Sequence, residues 1–354
     1  MRVLVTGNNG YIGTVMVPVL QAQGFEVAGL DSDLFEGCVF GDSSVSGSIS
    51  NIAYARKDVR DVRLSDLHGF DAVAHLCALS NDPLGNLNPK ITYEINHEGS
   101  VRLAKLAKEA GVQRFILSSS CSVYGASTAH IVDEESEVKP LTPYAISKVL
   151  AERDISKLAD SEFCPVFLRS STAYGLSPML RFDLVVNNFV AWSFTKGLVL
   201  LKSDGSAWRP FVHIEDISRA FVAALKAPQD LVRNQIINVG KNEENYRIRE
   251  VAEIVKQTVP NSQIKYVEGA ERDERSYKVK FDKIADILPE FKPKWNVPLG
   301  AKQLFEAYKK VGLLVEEFEG PRYRRITHLE NSLHSGRVDD TLRRTSAYPL
   351  KFSN

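Results

Sequence analysis

Apolar residues 2–5 form a short β-rich run, followed by a turn with glycines at 7, 10 and 13, an amphipathic segment to Gln23 and a second apolar run ending on Asp31. The pattern then repeats with a polar, glycine- and serine-rich interruption at 32–50, long enough to reach over a ligand bound at the first turn. Strands are predicted at 52–59, 71–76 (DAVAHL) and 114–119 (RFILSS), and amphipathic helices at 92–110 and 144–157. Alternation of apolar strands with helices predicts an α/β protein with a doubly wound parallel sheet covered on both faces. Beyond Phe167 the pattern loosens: PVFLRS, 198–201 and 235–239 read as strands, and 184–197, 214–227, 248–258 and 299–311 as helices. This second half predicts a smaller α/β lobe over the mouth of the sheet.

The first turn, TGNNGYIG, places glycines where dinucleotide chemistry needs them. Gly7 lets the chain turn tightly, Gly10 lets backbone N–H groups approach a diphosphate, and Gly13 lets the following helix pack close to the sheet. The helix N-terminus then faces the negative charge with unpaired donors and its dipole. Asp31, closing the second strand, can accept bonds from both adenosine-ribose hydroxyls and would repel a 2′-phosphate, which favours NAD over NADP. Asp58 and Val59, at the end of the third predicted strand, fall where adenine would lie. The sheet is therefore expected to be of the Rossmann type.

Length divides the 354 residues into a dinucleotide-binding domain at 1–168, a mainly substrate-binding lobe at 169–315 with some segments returning to the first core, and an extension at 316–354. The extension holds several Arg and Glu but no sharp motif, and reads as a surface helix or oligomer contact. Lys plus Arg equals Asp plus Glu, at 44 each, so nothing electrostatic suggests a nucleic-acid or membrane partner. No apolar run approaches the roughly 18 residues that span a bilayer. No leader pattern precedes the first strand, and Cys38, Cys77, Cys121 and Cys164 are scattered without metal-ligand spacing. The expectation is a cytoplasmic protein with reduced thiols and no metal.

Tyr144 and Lys148, four apart in PYAISK, share one face of a predicted helix. A free phenol with a pKa near 10 is a poor base at neutral pH, and an adjacent ammonium makes the phenolate accessible. Ser120, at the end of the fifth strand, is placed to hold a substrate oxygen, because strand ends of open α/β sheets face the ligand crevice.

In order along the chain, TGNNGYIG, Asp31, HLCA (75–78), NHEG (96–99), SSSCSVYG (118–125), YAISK, LRSSTAYG (168–175) and WRPFVHIEDISRA (208–220) resemble the extended short-chain dehydrogenase/reductases that epimerise or dehydrate nucleotide sugars. The resemblance covers about residues 1–310. It implies bound NAD, held by Gly7, Gly10, Tyr11, Ile12, Gly13, Asp31, Asp58, Val59, Leu76, Ala78, Asn96 and Ser118, with Tyr144 and Lys148. It implies catalysis by Ser120, Tyr144 and Lys148, with Lys148 also bonding the nicotinamide ribose. For the nucleotide sugar it implies Ser80, Asn81, Thr172, Asn188 and Arg209, with either Arg275 or Arg272 reaching the diphosphate. It further implies a homodimer through helices 96–110 and 144–158.

Departures narrow the reaction. The 4,6-dehydratases of the group carry Asp and Glu after the catalytic hydroxyl, whereas this chain has Cys121 and Ser122, neither a carboxylic acid. Cys121 reads as a buried small residue, not an acid or base. Thr172, Arg181 and Asp183 depart from the galactose-epimerase pattern and resemble members acting on rarer sugar nucleotides. The expected function is an NAD-dependent epimerase working through a keto sugar at C4. A nucleotide-sugar 4-dehydrogenase or ketoreductase would use the same residues. A non-catalytic NAD-binding sensor is disfavoured, because Tyr144 and Lys148 are both present.

Overall fold

The computed structural model describes residues 1–47, 51–80, 82–125, 131–268 and 275–345. Seven parallel strands form the main sheet in the order Gln235–Val239, Cys164–Ser170, Arg114–Ser120, Ala72–His75, Arg2–Thr6, Glu26–Asp31, Tyr54–Arg56. The chain winds outward to one side from Arg2–Thr6 and then to the other from Ala72–His75. The order therefore reverses between these two strands, and a crevice opens beyond their C-terminal ends. His75 fixes that point: its ring bonds the Thr6 hydroxyl at 2.6 Å and the Ser100 hydroxyl at 2.8 Å. Burial holds its pKa down near 3, so it stays neutral and structural.

Helices cover both faces. Helix Gly13–Ala22 buries Met16, Val17 and Leu20 and packs beside Ile214–Lys226, which buries Ile217, Phe221 and Leu225. Each such side chain contributes about 1.5–3 kcal/mol relative to exposure. Gly7 sits at φ +79°, which an L side chain rarely adopts, and a Cβ on Gly13 would collide with the Gly7 carbonyl and the Asn8 backbone.

The second lobe begins where the chain leaves the main sheet at Ser170 and pairs again as Thr172–Tyr174 beside Trp208–His213, which also takes Asn245–Arg247. Strand Leu198–Leu201 pairs with Gln263–Tyr266, and helices Val185–Lys196, Ile248–Thr258 and Val297–Val311 pack around them. Gln235–Val239 returns to the main sheet as an edge strand.

Two elements differ from expectation. The third strand spans only Tyr54–Arg56, because the Asp58 carboxylate accepts the Arg60 N–H at 2.8 Å and starts a 3-10 turn at Val59–Asp61. The helix expected at 92–110 begins earlier, at Pro89 behind the Asn88 cap, and passes through a widened π turn at Glu94–Glu98 before Gly99–Glu109.

The tail, expected as a surface helix or an oligomer contact, carries the helix Arg325–His334, which buries Leu329 completely and joins the core layer containing Leu4, Val73 and Leu103. Val338 and Leu342 follow it into the same layer. No helix among the described residues is long and apolar enough to cross a membrane.

Candidate active site

Two cavities meet beyond the sheet's C-terminal edge. The first, about 260 Å³, is bordered by Gly7, Gly10, Tyr11, Ile12, Gly13, Asp31, Asp58, Val59, Leu76, Ala78, Ser118 and Lys148. The second, about 830 Å³, is bordered by Asn188, Arg209 and Arg275 among others. Ser80, Ser120, Tyr144 and Thr172 border both, as do Arg181 and Arg325. Asn81 and Arg272 lie outside the described residues.

Asn96, expected both to hold the dinucleotide and to steady the active-site region through its helix, is fully buried and does not border the smaller cavity. Its amide brackets Leu79, accepting the backbone N–H at 2.8 Å and donating to the carbonyl at 3.1 Å, and it donates to Ser147 at 3.2 Å. It positions the loop after Ala72–His75 rather than lining the cleft.

In the glycine turn the Gly7 N–H donates to Leu30 O at 2.7 Å, locking the turn to the second strand. Asp31 accepts the Asn9 N–H at 3.0 Å and the Asp33 N–H at 2.8 Å, one on each oxygen, which orients the carboxylate and leaves lone pairs facing the cleft. Burial raises its pKa to about 6, against the pull of those two bonds. Ser170 Oγ, bordering both cavities, is buried without a hydrogen-bond partner among the described residues. A glycine-walled turn at a helix N-terminus, an oriented carboxylate one strand away and an unspent hydroxyl suit a dinucleotide. No group of three or more potential metal ligands is assembled among the described residues.

Thr142 caps helix Pro143–Ser156, setting Tyr144 and Lys148 on its first turns. The Lys148 ammonium donates to Ser118 O at 2.7 Å and lies 5.8 Å from the Tyr144 ring centre. Burial lowers the Lys148 pKa to about 8, opposed by the charge of Glu152 one turn on. For Tyr144 burial is the largest influence and raises the pKa; the Ser120 hydrogen bond and then the Arg181 charge pull it back. Sequence reasoning named Arg181 but did not connect its charge with Tyr144; its guanidinium donates to Ser80 Oγ at 2.9 Å and forms a bidentate pair with Asp183 at 3.0 and 2.6 Å.

Beneath the site lies a second feature the motifs did not reveal. Glu152 and Arg169, both buried, pair through bonds of 3.0 and 2.7 Å, and Glu152 also accepts the Ser119 hydroxyl. Its position one helical turn beyond Lys148 is the signal that could have found it.

In the larger cavity Arg209 lies over the Tyr277 ring at 5.6 Å and donates to the Arg275 carbonyl, while Arg275 pairs with Asp82. Asn188 donates to Phe182 O at 2.8 Å. Cys121 is buried with its thiol donating to Arg169 O at 3.2 Å, and burial pushes its pKa up to about 12.

Residues 3–240 match the family described as the NAD dependent epimerase/dehydratase family. The chain is 27% identical over 323 residues to dTDP-D-glucose 4,6-dehydratase of Mus musculus, covering 87% of this chain and 89% of that protein. It is 32% identical over 239 residues to UDP-glucose 4-epimerase of Mycolicibacterium smegmatis, covering 63% of this chain and 73% of that one. Among solved structures it is similar to MoeE5 in complex with UDP-glucose and NAD, at 26% identity and a TM-score of 0.72, over 88% of this chain and 99% of that one.

Proposed function

Because the chain belongs to the NAD dependent epimerase/dehydratase family, we propose that it oxidises a nucleotide-linked sugar at a ring hydroxyl, at C4, and reduces the keto sugar again from its other face. The observation that carries this reading is that Ser120 and Tyr144 border both cavities at once, so they face cofactor and substrate together. NAD supplies the reversible acceptance of hydride from the carbinol carbon.

The protein's own residues do the rest. The Tyr144 phenolate removes the hydroxyl proton, and Ser120 Oγ donates to the same oxygen as it becomes a carbonyl. Lys148, anchored on Ser118 O, supplies positive potential from the helix turn below. Arg209 and Arg275 bring guanidinium groups suited to a diphosphate, and Thr172 and Ser80 offer hydroxyls at the junction. Elimination of water would need a carboxylic acid beside Ser120; Cys121 is buried with a raised pKa and Ser122 is no acid, which favours epimerisation over dehydration.

Incubation of the purified protein with a panel of nucleotide sugars, followed by chromatography and cofactor absorbance, tests the reading. Redox-neutral interconversion of two 4-epimers is expected. Net NADH formation would make the protein a dehydrogenase, and a 4-keto-6-deoxy product would make it a dehydratase.

We also propose a homodimer built on helices Gly99–Glu109 and Pro143–Ser156, which pack side by side. Light scattering at working concentration should give twice the chain mass; the mass of one chain would remove this proposal.

A further inference from the structure

The tail contributes a buried charge that the proposed reaction leaves unused. Arg325, the first residue of helix Arg325–His334, is only 7% exposed yet borders both cavities. One guanidinium nitrogen donates to Met179 O at 3.1 Å, and the group lies over the Phe35 ring at 4.4 Å. Among the described residues its Nε has no hydrogen-bond partner and no carboxylate lies within ion-pair distance of it. A buried, unpaired guanidinium is costly unless an anion arrives to meet it.

The surroundings indicate which anion. Arg325 reaches the cavity from the side of Phe35, and its charge is felt by Tyr11 and Asp31, both on the glycine-turn cavity. The tail is fastened along that rim: Arg344 donates to Ser32 O and Asp33 O at 3.3 and 2.6 Å, and the Arg60 guanidinium donates to Thr341 O at 2.8 Å. The larger cavity has its own guanidinium groups in Arg209 and Arg275.

We propose that Arg325 is a cofactor-binding residue supplied by the C-terminal tail, meeting the dinucleotide diphosphate in the glycine-turn cavity, so that the tail retains NAD. Burial and the nearby Arg181 charge hold the Arg325 pKa down to about 10, and the charges of Asp183 and Asp31, neither within ion-pair distance of it among the described residues, only partly offset them. The inference rests on the NAD dependence of the family and not on which sugar reaction follows.

The test is binding by the full chain. Arg325→Met and Arg325→Lys are compared with wild type for NAD retained after dialysis, for calorimetric affinity toward NAD, adenosine, UDP and GDP, and for melting temperature with and without NAD. Arg325→Met is expected to bind NAD about tenfold or more weakly, the loss of one charge-assisted contact, and to bind adenosine unchanged. Its melting temperature without nucleotide should not fall, while the NAD-induced rise shrinks; Arg325→Lys should recover part of the affinity. Unchanged NAD affinity would overturn the proposal. So would an equal loss for adenosine, a fall in the nucleotide-free melting temperature with the NAD-induced rise intact, or a loss confined to the diphosphate of UDP or GDP. None of these readouts depends on turnover, so they stand apart from the choice between epimerase and dehydrogenase.

Discussion

Tyr144→Phe should lower turnover by roughly 10²–10⁴-fold while the protein still holds its dinucleotide. The phenol oxygen is the atom asked to take the proton, and Phe keeps the ring that fills the junction between the cavities. In barrier terms this is about 3–5 kcal/mol, at about 1.36 kcal/mol per decade. Because burial raises the Tyr144 pKa, the wild-type rate should climb with pH as the phenolate forms, and the Phe variant should lose that limb. Neutralising Arg181 removes a charge that lowers the phenol pKa, so Arg181→Met should move the limb to higher pH. Steady-state rates across pH, with NAD content measured on the same samples, check all of this. A Phe variant that turns over at the wild-type rate would reject Tyr144 as the base.

The second large effect concerns stability. Arg169→Met should destabilise the fold by about 3–5 kcal/mol, because it leaves the Glu152 carboxylate buried without its bidentate partner. Arg169 also donates to the Tyr124 hydroxyl at 3.1 Å, which loses that donor. Changing both partners, Arg169→Met with Glu152→Leu, removes the stranded charge and should recover much of the loss. Urea unfolding of the two variants and wild type decides it. If the single variant unfolds at the wild-type midpoint, the pair is not a structural element of this core. Glu152 stands one turn from Lys148 and holds the Ser119 hydroxyl next to Ser120, so the single variant should also weaken catalysis through displaced positioning.

The glycine turn, Asp31, Ser120, Tyr144 and Lys148 were legible in the chain because each rests on local chemistry. A positive φ at Gly7, a helix whose first residue, the bare Gly13, packs on the Gly7–Asn8 backbone, and a four-residue step from Tyr144 to Lys148 are decided by near neighbours. The parallel sheet was legible for the same reason: strands buried on both faces read as apolar runs wherever they fall. Boundaries that depended on caps were less so. Asp58 cut the third strand short, and the π turn that buries Asn96 leaves no mark on the hydrophobic period.

Tertiary structure alone decided which distant charges meet. Arg181 reaches Ser80 across 101 positions, Arg169 finds Glu152 from another element, and Arg325 enters the cleft from a tail without a motif. An arginine in a list of 44 cationic residues looks like any solvated charge. What sets it apart is the loss of water around it, and that exists only once the chain has closed and its low-dielectric walls decide which groups must answer each charge.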